Sequence, residues 1–328
     1  MSIFYGVYLI LALSLNLEYG FAGQPDFGKV FFFSIGAYTS GALVVTFLSY
    51  LGELPGSIFS PAGVGLRNDY AFSNPSAAIT VFIVSIVVSM LVGGIFGYLA
   101  SYPALRLRAD YLAITLLLTG EISRNFVSSY PSIAGGANGL GGIPNPFIWL
   151  GNGHSITLAY AALVLSFAVL LFGVTDRTVN SPFGRLLKAI RDDELVAKSF
   201  GKVVPTRKAQ VLIVASAMSA LAGALYTFFI GYENAASFTT VWTINAWIMV
   251  ILGGMANNRG ALLGAFLLTA MDSTSSLVVA LVGVYPGFEI SYLRNMVVAA
   301  LVILVMVFRP KGLFPEKPLR IPFRTSSE

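Results

Sequence analysis

The stretch AAITVFIVSIVVSMLVGGIFGYLAS, residues 77–101, contains no Asp, Glu, Lys or Arg. At about 1.5 Å per residue, a helix of this length exceeds the roughly 30 Å hydrocarbon core of a bilayer. A backbone in lipid must satisfy its hydrogen bonds internally, and a continuous helix does so. The stretch therefore predicts a transmembrane helix, and similar apolar segments recur along the chain.

The overall composition agrees with this prediction. The chain has 328 residues, of which 56% are hydrophobic and 11% charged, whereas charged residues make up about a quarter of a soluble domain. Mean hydropathy is +0.79. The net charge of +5 comes from loops beside apolar segments, which favours a role in membrane orientation over nucleic-acid binding. The absence of cysteine excludes disulfides, thiolate metal sites and cysteine nucleophiles within this chain.

The sequence predicts an all-α integral membrane protein, a polytopic helical bundle of about nine transmembrane helices with a range of eight to ten. We expect residues 1–308 to form the transmembrane domain and residues 309–328 to form a cytoplasmic tail. The first segment has neither a basic start nor a cleavage site, which favours a span over a removable signal peptide. The apolar segments are 2–17, 27–51, 77–101, 111–129, 156–175, 209–231, 241–255, 261–284 and 290–308.

Basic residues indicate the orientation of these segments. If successive segments cross the membrane in alternating directions, residues 181–208 and the tail lie on the same side of it. The loops on the opposite side contain only Arg67 as a loop cation. Because Lys and Arg favour the cytoplasmic side, the carboxyl terminus is predicted to be cytoplasmic and the amino terminus outside. A helix upstream of the short first segment would change the count. The other basic residues on the predicted cytoplasmic side are Lys29, Arg106, Arg108 and Arg259.

Glycines cluster in the run GFAGQPDFG at residues 20–28. One interpretation is a broken or re-entrant segment near the bilayer midplane, where free backbone groups line a cavity. The alternative is that the small residues let helices approach closely.

Polar residues in apolar segments are costly in lipid and mark candidate functional positions. Glu121 and Arg124 lie three residues apart and are expected to form an ion pair on one helix face, either for packing or to line or gate a pathway. Asp272 and Arg294 are candidates for an interhelical contact. The candidate translocation-path residues are Asn16, Gln24, Asp26, Glu121, Arg124 and Asp272.

No catalytic, cofactor or metal site is predicted in this chain. His154 is the single histidine and lies in a predicted outer loop, where a solvated role is expected. The chain has no G-x-x-x-x-G-K-[ST] motif, so it is not expected to bind ATP through a P-loop. The glycine-rich run at residues 132–142 lacks the lysine of such a motif and is predicted to be a flexible outer loop.

Residues 181–208, SPFGRLLKAIRDDELVAKSFGKVVPTRK, form a charged, amphiphilic block in an otherwise apolar chain. Ser181 is a good N-cap, Pro182 suits the first helical position, and Gly201 is placed to end a helix. One continuous helix over residues 183–200 is expected. It could lie on anionic headgroups, but the acids at residues 192–194 would be repelled there, which favours a protein partner.

The sequence GRLLKAIRDDELVAKSFG at residues 184–201 resembles the cytoplasmic coupling loop of branched-chain amino acid ABC importers, in their LivM-type permease subunit. The resemblance extends in order along nearly the whole chain, ending in FRPKGLF at residues 308–314. One departure is KVVP at residues 202–205, where the family commonly has G-x-N. The other matching segments are LSLNLEYGFAGQ at 13–24, SIGAY at 34–38, LRLRADYLAI at 105–114, GGANGLGGIP at 135–144 and VILGGM at 250–255.

The resemblance implies a multi-pass protein of the prokaryotic inner membrane. It would pair with a second, LivH-type permease subunit, two cytoplasmic ATPase subunits that bind ATP and Mg, and an extracytoplasmic binding protein. The coupling loop, residues 176–208, would dock on an ATPase subunit. The implied coupling residues are Gly184, Arg185, Ala189, Arg191, Asp192, Asp193, Glu194 and Gly201.

Two alternatives to branched-chain amino acid import stay open from the sequence. Similar ABC permeases carry urea or short amides, since the binding protein largely sets specificity. A secondary transporter or channel that needs no ATPase is the alternative of a different class.

Overall fold

The computed structural model describes residues 1–53, 63–130, 134–282 and 290–316, which are mostly helical. The side chain of Arg294 and the tail beyond residue 316 lie outside this part of the chain. The helices are α1 (Ser2–Leu15), α2 (Lys29–Leu51), α3 (Gly63–Ser73), α4 (Pro75–Arg106), α5 (Ala109–Ser129), α6 (Gly153–Asn180), α7 (Pro182–Asp192), α8 (Glu194–Ser199), α9 (Val204–Ile230), α10 (Val241–Gly253), α11 (Asn258–Val282) and α12 (Ile290–Phe308).

Each of the nine predicted apolar segments is helical, with ends that differ by a few residues. Among the described residues, six helical stretches are long and apolar enough to cross a membrane. The polytopic helical membrane fold is thereby confirmed, while the count of nine spans stays a prediction. The six stretches are Ser2–Phe21, Lys29–Leu51, Pro75–Pro103, Gly153–Asn180, Val204–Ile230 and Ala235–Gly253.

Helices α1, α2 and α9 form the centre of the bundle. Helix α1 is surrounded by α6, α9 and α11, and α9 also packs on α2 and α4. Glycine allows this closeness, because a Cβ at Gly36 would overlap the carbonyl of Ala220 and one at Gly223 would overlap that of Phe33. Gly36 and Gly223 thus have the role that small residues commonly have between membrane helices, which is to let the backbones approach closely.

The first span does not stop at Leu15 but continues as a π-helix, Asn16–Phe21. Residues 23–28 are then non-helical and lead directly into α2. The predicted break in the glycine-rich run is present, whereas its place near the bilayer midplane stays a prediction. It lies against α7, where Arg191 Nη1 donates to the Gly20 carbonyl at 2.7 Å. The glycine-rich segment is thus at the end of the bundle that carries α7, called here the docking-segment end.

The opposite end, called here the sheet end, is closed by backbone pairing. Strand β1 (Leu140–Gly141) pairs antiparallel with β2 (Tyr232–Glu233). The buried Arg67 of α3 donates to the carbonyls of Gly142 at 3.2 Å and Gly141 at 2.9 Å. The expectation of a flexible loop at residues 132–142 is therefore wrong for its described part, 134–142, because these bonds hold it in place.

Candidate functional site

The block at residues 181–208 begins as the sequence predicts. The hydroxyl of Ser181 accepts from the backbone N–H of Phe183 at 3.2 Å, and Pro182 opens α7. Gly184 is buried, and a Cβ there would overlap the carbonyl of Val179 at the end of α6. Gly184 therefore seats α7 on α6.

The single helix expected over residues 183–200 is wrong. The chain breaks at Asp193, whose backbone is extended (φ −155°, ψ 108°), and α8 begins after it. The Asp193 carboxylate accepts from the backbone N–H groups of Leu195 at 2.9 Å and Val196 at 3.0 Å. A capping aspartate competes with continued helix because it satisfies the N–H groups that a new helix start leaves open. Gly201 (φ +72°) ends α8, as predicted.

The three consecutive acids do not form one patch, because each has its own local partner. Asp192 pairs with Arg191 at 2.9 Å, and Asp193 caps α8. Glu194 pairs with Lys198 at 3.0 Å and with Lys208 of α9 at 2.7 Å. The hydrogen bond from Lys208 lowers the pKa of Glu194. These contacts fasten α8 to the start of α9.

The exposed surface of the block has two parts. On α7, Arg185, Ala189 and Asp192 are exposed on one face. On α8 and just after it lies an apolar patch that the sequence analysis missed, formed by Leu195, Val196, Phe200 and Val203, which are 74%, 50%, 77% and 63% exposed. The prediction of one continuous helix did not identify this patch, which begins two residues after the break at Asp193.

Between this block and the end of the first span lies a cavity of about 260 Å³. Gln24 lines it and is only 4% exposed, and within the described residues its side-chain amide has no hydrogen-bond partner. Asn16 is fully buried nearby in the chain and ties the π-helix to the α10–α11 loop. Its amide donates to Asn258 Oδ1 at 3.0 Å, and its oxygen accepts from the Ala256 N–H at 2.9 Å.

Asp26 belongs to a buried group of charges that includes two residues not predicted as site residues. Lys29 Nζ lies 2.5 Å from Glu18 and 3.2 Å from Asp26, and all three side chains are at most 1% exposed. Asp26 also accepts from the Gly28 N–H at 2.7 Å. Lys29, one of the basic residues on the predicted cytoplasmic side, is thus the buried first residue of α2, and the orientation itself stays a prediction. No helical spacing relates Glu18 to Lys29, since non-helical residues separate them.

The remaining path candidates lie elsewhere. The predicted Glu121–Arg124 ion pair is present, with 2.8 Å between Arg124 Nη2 and Glu121 Oε2. Glu121 also accepts from Thr240 Oγ1 at 2.7 Å, which links α5 to the start of α10. Asp272 accepts from the Tyr8 hydroxyl at 3.3 Å, joining α11 to α1. The structure thus separates the six path candidates into three regions, and their role in transport stays a prediction.

Comparison with known proteins agrees with the helical architecture and the motifs. The sequence model of a protein family, the permease component of branched-chain amino acid transport systems, matches residues 2–306. A probable branched-chain amino acid transport permease, LivM of Methanocaldococcus jannaschii, is 32% identical over 98% of this chain and 94% of its own length.

Two relatives from Escherichia coli are also similar to the chain. The high-affinity permease LivM is 29% identical over 94% of this chain and 68% of its own length. The permease LivH is 24% identical over 93% of this chain and 90% of its own length. No solved structure matches the chain. Because the family model and the Methanocaldococcus relative both span nearly all of it, the chain belongs to the family of branched-chain amino acid transport permeases.

Proposed function

We propose that this chain is a transmembrane subunit of an ABC importer that translocates branched-chain or related aliphatic amino acids. ATP would be hydrolysed, with Mg, by two separate cytoplasmic ATPase subunits, and an extracytoplasmic binding protein would deliver the substrate. The observation that carries the proposal is the apolar patch of Leu195, Val196, Phe200 and Val203 on a polar block outside the long apolar helices. A contiguous exposed apolar patch rimmed by charges is typical of a protein–protein interface.

The charges beside the patch favour a protein over a lipid surface. Asp192 and Asp193 are exposed next to it, and anionic headgroups would repel them. An ATPase subunit with a cleft for α7 and α8 satisfies both the apolar patch and the mixed charges. Arg185, Ala189 and Asp192 would contact it directly, whereas Gly184, Asp193, Glu194 and Gly201 shape the block.

The relatives support the wider assembly. The chain is similar both to LivM and to LivH of Escherichia coli, each of which is named as a permease protein of a high-affinity branched-chain amino acid transport system. We therefore expect this chain to pair with a second, LivH-type permease in a prokaryotic inner membrane. The docking-segment end, where the described chain ends at Glu316, would face the cytoplasm.

A double substitution, Leu195→Asp with Phe200→Asp, tests the proposal. It removes apolar area from the patch and adds charge, so the ATPase subunits should no longer co-purify and ATP-dependent leucine uptake into proteoliposomes should be lost. Ser199→Asp is the matched control, because it adds a charge at an exposed position of the same helix without removing an apolar side chain.

The outcomes separate the alternative functions. Uptake that continues without any ATPase subunit and follows an ion gradient would mean a secondary transporter or channel and would contradict the proposal. ATP-dependent uptake of urea or a short amide in place of leucine would keep the ABC mechanism and correct the substrate.

A further inference from the structure

Residues 309–316, which follow α12, return across the docking-segment end as a strap instead of extending away as a tail. The strap is bonded through backbone groups to the last turn of α10, and through Asn257 to the α10–α11 loop. Leu313 N donates to the Leu252 carbonyl at 3.0 Å, and Phe314 N donates to the Gly253 carbonyl at 2.8 Å. Asn257 Nδ2 reaches the carbonyls of Phe314 and Pro315, each at 3.2 Å.

Two glycines keep the strap tight against this loop. Gly254 (φ +114°) and Gly312 (φ +78°) both have backbones that favour glycine. A Cβ on Gly312 would overlap the Cα of Gly254. The backbones of the strap and of the loop are therefore in direct contact, so a displacement of one must displace the other.

The far end of the strap holds α7. Each carboxylate oxygen of Glu316 forms an ion pair with a basic side chain on a successive turn of that helix, one with Lys188 at 2.8 Å and the other with Arg191 at 2.9 Å. All three side chains are partly buried. The carboxylate is thereby aligned by two charge-assisted hydrogen-bond donors on one helix face.

Further contacts close a ring of elements around this end. Arg191 also donates to the Gly20 carbonyl of the π-helix at 2.7 Å. The π-helix is tied through Asn16 to Asn258 and to the backbone of Ala256, in the same loop that the strap contacts. Helix α7, the first span, the α10–α11 loop and the strap are thus connected in a ring of contacts.

We propose that the strap is a mechanical link, in which Glu316 positions α7 so that its displacement by the ATPase reaches α10 and α11 as well as α1. The inference rests on the proposed function, because the displacing force is that of the ATPase. Partly exposed ion pairs contribute little to folding stability. Loss of Glu316 should therefore change the ratio of uptake to ATP hydrolysis more than it changes stability.

The chain has no cysteine, so an engineered pair can replace the ion pair with a covalent link. In the assembled transporter, Lys188→Cys with Glu316→Cys should hydrolyse ATP in response to the binding protein, but with uptake per ATP reduced about five-fold or more. A short, reducible thiol-to-thiol cross-linker should restore that ratio, and reduction should lower it again. The single variants, treated with the same reagent, are the controls.

Three results would contradict the inference. Normal uptake per ATP in the uncross-linked double variant would overturn it, and so would a cross-link that blocks transport or restores nothing. Glu316→Gln should show the same uncoupling without cysteines, and normal coupling in that variant would also overturn it. If the cysteine-free parent transports without ATP, the proposed function fails as well, which distinguishes that failure from failure of the strap alone.

Discussion

The two ends of the bundle are held by different contacts. At the docking-segment end, ion pairs join distant segments: those of Glu316 with α7 and of Lys208 with Glu194 are partly exposed, whereas that of Lys29 with Glu18 is buried. At the sheet end, the β1–β2 pairing and the backbone contacts of Arg67 close the structure. Partly exposed ion pairs exchange partners at little cost, whereas buried backbone hydrogen bonds do not. The partly exposed pairs that hold α7 and α8 are therefore the contacts that we expect to rearrange most readily.

The largest effect is expected from removing the buried cation at the docking-segment end. Lys29→Met leaves Glu18 and Asp26 buried without their cation, so we expect a loss of about 3–5 kcal/mol in unfolding free energy. Chemical unfolding in detergent measures it. Adding Glu18→Gln should recover part of the loss, and a Lys29→Met variant as stable as the parent would contradict the structural role of these charges.

The buried cation at the sheet end provides the direct comparison. Arg67→Met leaves the neutral carbonyls of Gly141 and Gly142 without their donor, and we expect a loss of about 2–4 kcal/mol. Chemical unfolding in detergent measures this loss. Arg259→Met, at an exposed position, is the control. An Arg67→Met variant as stable as the parent would contradict the role of this side chain in closing the sheet end.

Glu233 makes the sheet end sensitive to pH. Burial raises its pKa to about 8, although the hydrogen bond from Thr227 (2.9 Å) opposes the shift. The folded protein therefore loses stability as the pH rises from the ordinary glutamate range, about 4.5, to about 8. Glu233→Gln should reduce the dependence of the melting temperature on pH between 4.5 and 8, and should raise the melting temperature at pH 8 more than at pH 4.5. An unchanged pH dependence would contradict the raised pKa of Glu233.

A smaller effect is expected at the break between α7 and α8. Asp193→Ala removes the cap of α8 and should cost about 1 kcal/mol of local stability. Faster hydrogen exchange at Leu195 and Val196 would report it. Asp193→Asn keeps a capping oxygen and should behave nearly as the parent. Equal exchange rates in the alanine variant would contradict capping.

The smallest effect is expected for the Glu121–Arg124 pair, which is about one-third exposed. Reversing either charge should cost at most about 1 kcal/mol. Reversing both should restore more uptake than either alone, even though Thr240 loses its acceptor. A double variant whose uptake is no higher than that of the single variants would contradict a functional role for the ion pair.

The fold class was predictable because its signals are local. An apolar run of 25 residues such as 77–101 must be helical in lipid whatever surrounds it. Ser181, Pro182 and Gly201 mark helix ends through their own backbone chemistry, and the structure agrees at each of them. The family could likewise be inferred from motifs in the order of the chain.

The site was less predictable because its contacts join residues far apart in sequence. Asp193 separates α7 from α8, where one continuous helix was expected. Lys29 and Glu18 meet across a non-helical segment, and Glu316 meets Lys188 only because the strap folds back. None of these pairings has a periodic spacing that a sequence pattern could show.

Hydrophobic segment length and helix-end chemistry were enough to predict a helical membrane protein, because both act within each segment, and the order of the motifs indicated the permease family. Which charges are buried, where α7 ends and what the last described residues contact became evident only from the folded bundle. Such choices depend on which backbone and side-chain groups are brought together when the helices pack, and the free energy of those contacts exists only in the assembled bundle.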